Sequence, residues 1–308
     1  MNSVQNKPVR RRNGAIFHNR IWGLILISPW LIGVIVFKLT PIVTSFIFSV
    51  TNYMLLDPKN IQFVGIENYL KLFKDTDVGP VLWQTVSLGL MIIPFQTFAS
   101  ILLATLLSYK KLLMKNTIRS LFFLPSIVPS AAAMYVTQGF INPSKGWLNQ
   151  LILGPIGLAS LNHLYSRNGG QTLFILTSLW AIGPGFLIIL SALQHIPDEI
   201  HEAAQIDGAN PLTHFFRITL PLVSPAVFFS LIINLTAVFG GAILLDRGNT
   251  FSTAISSYDG YIHYVLFGMF EVGYASSLAW MFFIIMMIVV LTIFGTSKRW
   301  VYFPESKV

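Results

Sequence analysis

Cysteine is absent from the 308 residues, which rules out disulfides, thiolate metal centres and cysteine nucleophiles and says nothing about compartment. Charge is scarce as well: Asp, Glu, Lys and Arg make up 10% of the chain against 54% hydrophobic residues. A water-soluble domain of this length has no way to hide so much apolar surface. No Gly-Lys dipeptide occurs, so there is no Walker A loop to cradle phosphates, and any nucleotide has to be bound by another polypeptide. His201-Glu202 begins like a zinc-protease helix, but Gln205 stands where the second histidine ligand belongs. There is no G-x-S-x-G elbow, and the histidines are scattered over different segments. These gaps leave a hydrolase little support, and no cofactor or metal is expected on this chain.

What is present is a series of apolar runs of about twenty residues, which reads as an all-α, polytopic membrane protein. Six spans are expected, at about 21–50, 81–107, 118–141, 171–193, 222–245 and 274–294. None contains Asp or Glu, against the expectation for an ion-driven secondary transporter. Residues 1–20 are a basic tail carrying Lys7, Arg10, Arg11, Arg12 and Arg20; no small-residue cleavage site follows, so the first span is retained. The net charge of +8 is a topology signal rather than a nucleic-acid footprint, because the basic residues flank the apolar runs. Of the 20 Lys and Arg, 13 fall on the side holding both termini and 6 on the other, with Lys38 unassigned. Both termini are therefore expected in the cytosol. The domain reading is one membrane domain over 21–297 between the tails 1–20 and 298–308. Pro125, Pro129 and Gly183-Pro184-Gly185 are expected to bend or break their spans. Lys38 is expected to snorkel toward the outer surface.

One long polar interruption keeps a helical pattern, over 195–221. Pro197 suits a first helical turn, and Asp198, Glu199 and Glu202 place negative charge at the positive end of that helix. Gly208 offers the left-handed conformation that stops it, and Asn210-Pro211 reads as a cap and first-turn proline of a second helix. On that second helix Leu212, Phe215, Phe216 and Thr219 share one face, and it is expected to halt by Pro221. Spacing alone leaves open a plain cytosolic linker between two spans.

The literal residues go further. Glu202-Ala203-Ala204, then Gly208, then Ile218, Leu220 and Pro221 reproduce the pattern EAA-x3-G-x9-I-x-L-P. This resembles the permease subunits of bacterial ATP-binding-cassette importers, and LQHIPDEIHEAAQIDGAN resembles the carbohydrate-importer version. FVGIENYLKLF and GYASSL are similar to segments beside the first and last spans of those permeases. The resemblance implies the type I importer permease fold and a coupling helix docked on the nucleotide-binding subunit. Glu202 would pair with a basic group of that ATPase, Ala203 and Ala204 would permit close approach, and Asp207, Gly208, Ala209, Asn210 and Pro211 would form the turn and restart. The chain lacks the glycine-rich tail of the second permease type, so it resembles the MalF-like half of a heterodimer. Implied partners are two ATPase subunits carrying ATP and magnesium, a second permease, an external solute-binding protein and a sugar.

For the substrate pathway the candidates are Trp180, Asn234 and Thr236 on the spans, with Lys38 and Arg247 toward the outer side. The usual acid and Gly-Pro turn after the fifth span are replaced by Phe239-Gly240-Gly241-Ala242 and Leu245-Asp246-Arg247-Gly248, which speaks against an ordinary disaccharide. Lys38, Lys145, Arg167 and Arg247 suggest an acidic oligosaccharide. An ATP-independent transporter or channel subunit is the alternative, and it would need no ATPase.

Overall fold

The computed structural model describes residues 13–108, 114–129, 182–239 and 257–302, with isolated positions between 132 and 155. Within them the chain is helical, broken by two isolated β-bridges at Thr51–Phe63 and Met54–Asp57. Among the described residues four helices are long and apolar enough to cross a membrane: Ile25–Ser49, Val78–Ser108, Pro211–Phe239 and Val272–Trp300. A shorter apolar helix, Pro184–Gln194, is the end of the expected fourth span. Most of the expected third span and the start of the fourth lie outside the described residues.

The first span is one continuous rod: α1 (Asn13–Val34), a π-helical turn (Ile35–Leu39) and α2 (Thr40–Ser49). A short surface helix α3 (Glu67–Lys74) precedes α4 (Val78–Ser108). Then come α5 (Lys115–Phe123), α6 (Gly183–Gln194), the polar pair α7 (Asp198–Ile206) and α8 (Pro211–His214), α9 (Leu220–Phe239), α10 (Tyr258–His263) and α11 (Val272–Trp300).

Prolines explain two departures from the sequence reading. Pro221 does not halt the second polar helix: α8 runs through a π-turn (Phe215–Thr219) into α9 as one rod. The first rod passes Pro41 in the same way. Each of these prolines follows a π-turn by two residues, and there the backbone bond runs over five residues, Leu220 N–H to Phe215 O and Thr40 N–H to Ile35 O. The widened turn takes up the clash a proline ring makes with the carbonyl one turn back. Pro125 acts as a true break instead. α5 ends at Phe123, Leu124–Ile127 is a 3₁₀ turn, and Val128 is extended, as the residue before Pro129 must be. The expected third span is thus not one bent helix over its described part.

Two cores hold the bundle, one at each end of α4, whose 31 residues span about 46 Å. At one end Leu72, Val78, Val81, Tyr258, Tyr261, Val265, Tyr274, Ala275 and Leu278 join α3, α4, α10 and α11. At the other, Ala104 and Leu107 of α4, Phe186, Ile189, Leu190 and Leu193 of α6, and Val223 and Val227 of α9 close together. The polar pair α7–α8 hangs from the second end. The end of α11 returns there too, since Tyr302 N–H donates to Ser224 Oγ at 2.8 Å and Phe228 meets Trp300 edge to face.

Candidate functional site

α6 and α9 leave the second core and are joined by an elbow whose shape is set by local backbone chemistry. Pro197 caps α7 with extended backbone (φ −59°, ψ 141°), one position earlier than the expected first turn, and Asp198 and Glu199 occupy that turn. α7 ends where Gly208 takes φ +74°, and Ala209 N–H reaches back to Ala204 O at 3.0 Å. Such a φ costs an L-residue roughly 1–2 kcal/mol, so the turn wants glycine here. Asn210 then caps α8, its Oδ1 accepting from Thr213 N–H at 2.7 Å, and Pro211 follows in the first turn, where a missing N–H is harmless.

The motif residues are therefore brought together as one object. Glu202, Ala203, Asp207, Gly208, Asn210 and Pro211 are exposed, Ala209 is half-buried, and Ala204 is buried. Sequence reasoning missed two features. Ile206, Leu212 and Phe216 stand 86, 71 and 61% exposed, an apolar surface on a polar segment. The expected common face of Leu212, Phe215, Phe216 and Thr219 is split, because the π-turn rotates Thr219 into the bundle while Leu212 and Phe216 face out. The other missed feature is a contact between the limbs, His201 Nδ1 to His214 Nε2 at 2.9 Å. His214 lies on the second limb, before the apolar stretch of α9.

Of the proposed pathway residues the structure describes Asn234, Thr236 and Lys38. Asn234 is buried inside the bundle, its Nδ2 3.5 Å from Thr97 Oγ1. Thr236, two residues on, is exposed and donates to the Ile232 and Ile233 carbonyls of its own helix. Lys38 is exposed within the π-turn of the first rod. Trp180 and Arg247 lie outside the described residues, as do Lys145 and Arg167. What sits around Asn234 is tight: a Cβ built on Gly185 would overlap Ser230 Oγ and stand 3.4 Å from Asn234 Oδ1 and 3.5 Å from Ser100 Oγ. Here α4, α6 and α9 approach closely, as small residues permit between membrane helices.

Residues 96–302, a stretch that holds this node and the whole elbow, match the family described as binding-protein-dependent transport system inner membrane component. The chain belongs to that family. It is 31% identical over 96% of both chains to the probable ABC transporter permease protein YesP of Bacillus subtilis. It is 32% identical to the sn-glycerol-3-phosphate transport system permease protein UgpA of Salmonella typhimurium, over 73% of this chain and 75% of that one. Among solved structures, a subunit of a bacterial alginate ABC transporter in complex with an alginate-bound periplasmic protein superposes with TM-score 0.77, covering 94% of this chain and 98% of that one at 22% identity. A second structure, of a bacterial ABC transporter that imports the acidic polysaccharide alginate, aligns equally well. The family expected from the EAA pattern, an ABC importer permease with its all-helical fold, is thereby established. This permease is a multi-pass membrane transport subunit rather than an enzyme.

Proposed function

We propose that this permease is the membrane-spanning subunit of an ATP-driven importer for a sugar or oligosaccharide, coupled to a separate ATPase through the elbow Glu202–Pro211. The observation that carries the reading is the elbow itself. It is entered through Pro197, turned at a left-handed glycine, capped by Asn210 on its second limb, and hung from α6 and α9, which share one core with α4. A push on such an elbow moves its helices as a body, because packed cores do not deform continuously. Closure of two ATPase subunits around ATP and magnesium would supply the push. Ile206, Leu212 and Phe216 add apolar grip to the charge of Glu202. A second permease completes the pathway, and an external solute-binding protein delivers cargo by favouring one of the two states.

The elbow and both termini belong on the cytosolic side in this reading, in line with the distribution of Lys and Arg. The absence of cysteine makes the test simple. Glu199→Cys, exposed on α7 and outside the apolar grip, is expected to react with a membrane-impermeant maleimide in inside-out vesicles and to stay unreactive in intact cells; labelling from the cell exterior refutes the coupling role.

The cargo is an anionic carbohydrate. Two relatives are named for anionic solutes, sn-glycerol-3-phosphate and alginate, and the topology expected from the Lys and Arg distribution assigns Lys145, Arg167 and Arg247 to the outer side, toward which Lys38 is expected to snorkel. Uptake by the reconstituted complex should be competed by uronate oligosaccharides and not by neutral ones of equal length. Equal competition ends the acidic assignment and leaves the importer assignment standing.

A further inference from the structure

The two limbs of the elbow are joined side chain to side chain, away from the EAA residues. His201 on α7 and His214 at the end of α8, thirteen residues apart and on opposite sides of Gly208, bring Nδ1 and Nε2 to 2.9 Å with ring centroids 4.9 Å apart. Both rings are half-buried. We propose that His201 and His214 are a positioning pair that fixes the angle between the limbs of the elbow and makes coupling sensitive to the pH on that side of the membrane. The proposal rests on the reading of the elbow as the ATPase contact.

The chemistry follows from what an imidazole offers. A hydrogen bond between two ring nitrogens needs one to donate and the other to accept, so the pair is satisfied when both rings are neutral or when they share one extra proton. A second proton makes both facing nitrogens donors. Two cations at that separation repel, and the contact opens. Histidine is the side chain whose ordinary pKa puts this change near physiological pH. The charged or titratable groups on the segments around the pair are Asp198, Glu199, Glu202 and Asp207 on α7 and its turn, Arg217 one turn beyond His214, and His195 at the end of α6, whose Nδ1 lies 2.6 Å from Ser191 O. Opening the pair releases α7 from α8 while leaving the Asn210 cap and the Gly208 turn intact. The elbow then keeps its helices and loses its fixed angle.

The experiment uses the full chain assembled with its transport partners in lipid nanodiscs, spin-labelled at Glu199→Cys and Arg217→Cys, both exposed positions outside the apolar grip. The inter-label distance distribution should be narrow at about pH 7.5 and broaden as the pH is lowered well below the ordinary histidine value of about 6.5, with ATPase stimulation of the unlabelled complex falling several-fold in parallel. The double variant H201Q/H214Q, whose amides hydrogen-bond without titrating, should keep one distribution and one stimulation at both pH values. A distribution in the native pair that ignores pH, or a double variant that responds as the native pair does, overturns the proposal. An elbow that opens in acid while ATPase stimulation stays constant would instead refute the ATPase-contact reading on which it rests.

Discussion

A Cβ built on Gly273 falls inside the van der Waals shell of the Thr51 carbonyl oxygen and only 3.1 Å from Tyr53 N and 3.2 Å from Phe48 O. Gly273 N–H donates to Tyr53 O at 2.9 Å, so the start of α11 is clamped onto the backbone that ends the first span. The same seam carries Trp280 Nε1 donating to Ser45 Oγ at 3.0 Å. Its neighbours are backbone atoms, which have no rotamer to escape into. Gly273→Ala is therefore expected to destabilise the protein by about 1–3 kcal/mol. Gly295→Ala, inside α11 with nothing within 4 Å, should instead raise stability by up to about 1 kcal/mol in the same thermal unfolding assay.

Gly185 makes the contrasting case, because the atom it would overlap is a side-chain hydroxyl. Ser230 Oγ and Ser100 Oγ are buried there without hydrogen-bond partners. Gly185→Ala should lower stability, and Ser230→Ala in the same chain should restore part of it, a coupling on the order of 0.5–3 kcal/mol for contacting residues. Additive effects would show that the two helices do not meet as described.

The elbow's turn and cap are separable. Gly208→Ala should cost roughly 1–2 kcal/mol of local stability through its positive φ, and Asn210→Ala about 0.5–2 kcal/mol through the lost cap. Both should speed proteolysis between α7 and α8 without altering membrane insertion.

At the end of the bundle away from the elbow, Asp75 Oδ2 accepts from Tyr261 and Tyr274 at 2.5 and 2.6 Å. Lys71 pairs with Glu271 and lies 4.2 Å over the Tyr274 ring. Burial works to raise the Asp75 pKa, but the two tyrosine hydrogen bonds, the Asp77 N–H and the Lys71 charge outweigh it and hold it below the ordinary 3.8. A carboxyl with a depressed folded pKa stabilises fully above its unfolded value and loses that contribution as pH falls through the folded one. Melting temperature should thus show no Asp75-dependent change between about pH 7 and 5, and a fall below pH 3.8 that Asp75→Asn removes.

Features made by neighbours in sequence were legible from the sequence. Pro197 announces a helix start to within one position, Gly208 and Asn210 announce a turn and a cap, and the apolar runs announce the spans, because each signal is local. The continuity of the rod past Pro221 was not legible, since it depends on a π-turn that no residue type marks. Nor was the inward place of Asn234 against Thr97, or the bond between Asp75 and tyrosines 186 and 199 residues away, which exist only once helices pack. The His201–His214 pair lies between: histidines on both limbs flanking a recognised turn were a signal, readable once the turn is taken to fold the limbs together.

The most direct test of the central claim is ATP-driven uptake by the reconstituted complex carrying the double variant E202K/G208D. Near-complete loss of uptake, with the variant inserted in the membrane at native levels, is the expected result. Uptake at the native rate would contradict the elbow's role and with it the proposed mechanism.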